Sequence, residues 1–105
     1  MDKKYKRAIS EEDSIAVRFR TYMGKVIHYV VRLECVIRGK RYGVMRFDNA
    51  HGRPHRHTLG TTGRTIDKVW YDKLSYSEGL TEAIEDIENN YEFYRERFIK
   101  WLSEK

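Results

Sequence analysis

Between residues 14 and 23 apolar positions alternate with polar ones: Ile15, Val17, Phe19 and Met23 are separated by Arg18, Arg20 and Tyr22. That two-residue period is the signature of a strand with one buried face. Gly24 marks a turn, after which residues 26 to 38 repeat the period at greater length. Ile27, Tyr29, Val31, Leu33, Cys35 and Ile37 make one apolar face. Gly39 and Lys40 turn the chain into a third strand over residues 42 to 48. If Arg38 faces Tyr42 across a three-residue loop, Leu33 opposes Phe47 and Cys35 opposes Met45, while Glu34 opposes Arg46 and Arg32 opposes Asp48. Apolar and opposite-charge pairs then segregate to different faces, which favours that register.

Residues 49 to 64 hold Gly52, Pro54, Gly60 and Gly63 and read as an irregular excursion with a short strand near residues 55 to 59. Residues 65 to 71 read as a further strand, on the β-prone Thr65, Val69, Trp70 and Tyr71. Ser75-Tyr76-Ser77-Glu78 is a capping box. Leu80, Ile84, Ile87, Tyr91, Tyr94, Phe98 and Trp101 then recur every three or four residues, one stripe of a long helix. Its acidic first half and basic end agree with the helix dipole. The expected fold is α+β: a four-stranded antiparallel meander with one long C-terminal helix packed on its apolar face. The expected organisation is a basic N-terminal tail, residues 1–12, and a single domain, residues 13–105.

A chain of 105 residues can fold without a metal or a disulfide. Its single cysteine, Cys35, lies in an apolar run, the pattern of a reduced, buried thiol and a cytoplasmic protein. No segment approaches membrane-spanning length, so no membrane partner is expected. The net charge of +5 conceals a division: residues 1–76 hold 17 Lys and Arg against 8 Asp and Glu, and residues 77–105 hold 4 against 8. The basic part suits a polyanion, RNA above all. The second sheet face is rich in Arg18, Arg20, His28, Arg32, Arg38 and Arg46, with Val30, Val36 and Val44 among them. It reads as a cationic surface or as a homodimer contact.

Chemistry concentrates in one stretch. Asp48-Asn49-Ala50-His51-Gly52-Arg53-Pro54-His55-Arg56-His57 holds three of the four histidines and the only proline. Imidazoles titrate near neutrality and ligate metals, and guanidiniums grip phosphate. Three readings stay open. In a metal-independent ribonuclease His51, His55 and His57 would act as acid and base, Asp48 would orient them, and Arg32, Arg53 and Arg56 would hold phosphate, with Arg18 and Arg20 extending the nucleic-acid surface. In a metal centre the candidate ligands are His51, His55, His57 and Asp48, and the cofactor would be a divalent ion, otherwise none. In a binding module the same residues would act without chemistry. Gly60-Thr61-Thr62-Gly63-Arg64 lacks the lysine of a phosphate-binding loop, and nucleophile-elbow, dinucleotide and zinc-protease motifs are absent from the sequence.

Phe47-Asp48-Asn49-Ala50-His51, followed by Pro54-His55 and Thr58, resembles the TumE-type toxins of prokaryotic toxin–antitoxin systems. A similar Ala-His-Gly-x-Pro-His run belongs to small uncharacterised prokaryotic domains. The resemblance implies a cytoplasmic prokaryotic protein that acts on RNA and is neutralised by an antitoxin protein.

Overall fold

The computed structural model describes residues 1–104. Six strands, β1 (Asp2–Ala8), β2 (Asp13–Tyr22), β3 (Lys25–Ile37), β4 (Lys40–Asp48), β5 (His55–Leu59) and β6 (Thr65–Trp70), precede one helix, α1 (Tyr76–Ser103). They form a single antiparallel sheet in sequence order, each strand beside its neighbours in the chain. The sheet therefore has six strands where the sequence pattern suggested four. The two beyond the expected four are the short strand read at residues 55 to 59, which joins the sheet as β5, and the basic N-terminal segment, which is an edge strand rather than a tail. Strand β1 is exposed along its whole length, so it carries no alternation by which it could be recognised.

Two tight turns set the register of the long strands. Met23-Gly24 and Arg38-Gly39 all have positive φ, between 51° and 78°, the two-residue geometry that matches strand twist. Ile37 accordingly faces Lys40, Cys35 faces Tyr42, Leu33 faces Met45 and Val31 faces Phe47. The three-residue loop and the pairing expected from sequence are thus replaced. A bulge between Leu33 and Glu34, with Val44 as the extra residue, restores the parity that the shorter turn would have reversed. Beyond the bulge the net displacement is two residues, so side chains there keep their expected face. Between the turn and the bulge the parity is reversed: Tyr42, expected opposite Arg38, faces Cys35 and packs on Phe98, and Val44, expected on the helix-free face, is buried in the core.

Helix α1 begins at a complete capping box, Ser75 with Glu78, and crosses the odd-numbered face of β2 to β4. Ala83, Ile87, Tyr94 and Phe98 bury against Ile15, Val31, Leu33, Cys35, Met45 and Phe47. Leu80, Ile84, Tyr91 and Trp101 flank them, half-buried. The Cys35 thiol is buried and unpaired, and burial pushes its pKa up. Among the described residues no helix is long and apolar enough to cross a membrane.

The other sheet face carries no helix. Strand pairing aligns two rows of side chains across all six strands of this face: Lys4, Arg18, Val30, Asp48, His55, Trp70 and, beside it, Lys6, Ala16, Arg32, Arg46, His57, Lys68.

Candidate metal centre

Strand β4 ends because Asn49 leaves the ladder while its side chain completes it. Asn49 Oδ1 accepts from the Tyr29 backbone N–H (3.0 Å) and Nδ2 donates to the Ile27 carbonyl (3.1 Å). The Ala50 N–H donates to Asp48 Oδ1 (3.0 Å). A short 3-10 turn, Ala50–Gly52, follows, with His51 at φ 64° and Gly52 at φ 78°. This reversal returns the chain as β5, which lays His55 opposite Asp48 and His57 opposite Arg46. Residues 55 and 57 of one strand share a face, so both rings meet the carboxylate that the turn left behind.

The three groups are buried although no helix covers them: Asp48 is 5 %, His55 2 % and His57 5 % exposed. Their shelter is built from neighbouring side chains. The Trp70 ring lies 4.6 Å from that of His55, and the Arg53 guanidinium stacks 4.2 Å above Trp70 while pairing with Asp72.

Hydrogen bonding fixes how the imidazoles point. His55 Nδ1 lies 2.8 Å from the Arg53 carbonyl; a carbonyl can only accept, so Nδ1 carries a proton. His55 Nε2 then faces Asp48 Oδ1 at 3.0 Å. Two acceptors are stable at that separation only with a positive centre between them, a second ring proton or a cation. His57 Nδ1 lies 3.0 Å from Thr65 Oγ1. Its Nε2 is 3.5 Å from Asp48 Oδ2 and 3.3 Å from Arg46 Nη2, a donor that requires a lone pair on Nε2. Burial, reinforced by the Arg46 charge, pushes the His57 imidazole down to about 4, so it is neutral at physiological pH.

Asp48, His55 and His57 each offer a ligand atom, and these atoms lie within 4.8 Å of one another. Ligands held about 2.1 Å from a tetrahedral ion are separated by roughly 3.4 Å. The observed 3.0 and 3.5 Å contacts bracket that value. The outer tethers, a backbone carbonyl and a hydroxyl on the two Nδ1 atoms, are of the kind that orients metal-binding histidines.

Other residues singled out in the sequence lie apart from this cluster. His51 is exposed on the turn, and His28 is exposed on β3. Arg56 sits on the helix side of the sheet, 3.6 Å from Asp86, where it cannot hold phosphate beside the histidines. Arg20 pairs with Asp2. Arg18 and Arg32 are exposed on the helix-free face. Three participants went unrecognised in the sequence: Arg46, Thr65 and Trp70. Arg46 stands two residues before Asp48, the spacing that places both on one face of a strand, and its Nε donates to Asp48 Oδ2 at 3.1 Å. Trp70 could have been found by alternation from Lys68. Thr65 had no such signal, because the β5–β6 register contains a bulge.

Comparison with known proteins gives no match among curated proteins or solved structures, and no link to TumE-type toxins. A family model described as a domain of unknown function, DUF7718, matches residues 1–104, and the chain belongs to that family.

Proposed function

We propose that Asp48, His55 and His57 hold one divalent transition-metal ion, and that the protein acts through it on RNA phosphodiesters. The observation that carries this reading is the convergence of both Nε2 atoms on one buried carboxylate while both Nδ1 atoms are tethered from behind. Two imidazoles and one carboxylate suit Zn2+, Fe2+ or Mn2+. Three protein ligands leave coordination positions free, and an ion held this way supplies Lewis acidity and a water of lowered pKa. The segment that resembles TumE-type toxins, Phe47 to His51 with Pro54 and His55, supports RNA as the substrate class. Metal-independent acid–base cleavage would need two imidazoles able to reach a substrate; the burial of His55 and His57, with His51 apart and exposed, favours the metal.

Arg46 is an internal competitor, because its guanidinium donates to Asp48 and to the His57 lone pair that an ion would use. Metal uptake must displace it. Elemental analysis of protein purified without a histidine tag should find about one equivalent of metal, and Co2+ or Zn2+ should titrate into EDTA-stripped protein at the same stoichiometry. Asp48→Asn should abolish that binding, whereas Arg46→Met should tighten it. A folded wild-type protein that binds neither ion at micromolar concentration, or an Arg46→Met variant that binds more weakly, would refute the assignment.

A further inference from the structure

The helix-free face continues from the Asp48 cluster into an open groove of about 660 Å³ over β1, β2 and β3. Ala16 and Val30 form its floor, Lys4, Arg18 and Arg32 stand around it, and Glu34 closes one end with Lys6 2.7 Å from its carboxylate. Among the described residues, Lys4, Arg18 and Arg32 have no carboxylate within ion-pair distance. Three unpaired cations on one concave surface repel one another unless an anion lies among them.

We propose that this groove binds the backbone of single-stranded RNA, leading it along the paired rows of side chains toward Asp48, His55 and His57. Lys4, Arg18 and Arg32 take successive phosphates, and the guanidinium planes beside the small apolar floor give bases a surface on which to stack. Among the described residues this face carries no helix to enter the groove of a duplex. An acidic polypeptide would match the cations but would leave the floor and the guanidinium planes without a flat partner. The carboxylate of Glu34 points to RNA rather than DNA. Lys6 pairs with one oxygen of this carboxylate; the other remains an acceptor, and the ribose 2′-hydroxyl, absent from DNA, supplies a donor for it. The path toward Asp48, His55 and His57 rests on the proposed function, but none of the groove residues is a proposed metal ligand, so binding in the groove can succeed or fail apart from metal binding.

The test uses the full chain in EDTA, with fluorescence anisotropy of a 5′-fluorescein dodecauridine at several salt concentrations. Arg18→Glu with Arg32→Glu should raise Kd at least tenfold. It should also lower the slope of log K against log salt by about 1.4, two contacts at roughly 0.7 each. Arg64→Glu with Lys73→Glu makes the same change in net charge at exposed positions outside the groove and should leave Kd within about twofold. Wild type should prefer the RNA to the deoxy oligomer, and Glu34→Gln should narrow that preference. Equal losses in the two double variants, a preference for the deoxy oligomer or for duplex, or displacement by polyglutamate at equal charge concentration would overturn the proposal.

Discussion

Acid should weaken the metal-free protein through His57 in particular. Burial and the Arg46 charge hold this imidazole at about 4, against an ordinary value of 6.5. The unfolded chain therefore accepts a proton that the native state resists. Stability from this source is complete above pH 6.5 and is lost as the pH falls toward 4. At pH 4.5 the unfolded imidazole is almost fully protonated and the native one only in part, which corresponds to about 2.5 kcal/mol relative to pH 7.5. Carboxylates also titrate over this range, so the measurement is a double difference. Urea unfolding of wild type and His57→Gln at both pH values, in EDTA, should show wild type losing about 2.5 kcal/mol more than the variant. Gln keeps a polar group near Arg46 and removes the titration. Equal losses in the two proteins would refute the argument that His57 is held neutral.

Gly79, in the first turns of α1, lies against Tyr29 and Pro54, and a Cβ there would collide with the Tyr29 hydroxyl and meet the Pro54 Cβ at 3.1 Å. Gly79→Ala, which ordinarily stabilises a helix by roughly 0.5–1 kcal/mol, should here destabilise by about 1–3 kcal/mol, read as a lower Tm; an unchanged or raised Tm would contradict the close approach. Asn49→Ala leaves the Tyr29 N–H and the Ile27 carbonyl without their side-chain partner and should cost on the order of 1–3 kcal/mol in denaturant unfolding, with amide exchange accelerating at Tyr29.

Much of this architecture was legible in the chain. Alternation at Ile15, Val17, Tyr29, Val31 and Leu33, and the stripe from Leu80 to Trp101, reported a half-buried sheet and an amphipathic helix because burial on one side imposes a period. Strand β1 escaped because a strand exposed on both faces has no period to read. The register of β3 with β4 escaped for another reason: turn length is not written in the alternation, and the bulge shows only as the adjacent apolar pair Val44-Met45, both buried. At the candidate site Asp48, His55 and His57 were legible from their chemistry, as members of a longer run. His51 and Arg56 belong to that run too, but strand alternation and the turn at Ala50–Gly52 divide it between solvent, one sheet face and the other. Arg46, Thr65 and Trp70 reach the cluster only through pairing between strands, which chain order does not display.

Because each strand hydrogen-bonds only to its neighbours in the chain, every pairing closes a short loop, and the sheet can zip up hairpin by hairpin with little entropic delay. The helix that shelters the Ile15, Val31 and Phe47 side is translated after all six strands. A sheet that assembles before this helix docks keeps its greasy side bare until Phe98 packs against it, and for that interval stickiness toward other chains, rather than slow folding, is its chief hazard.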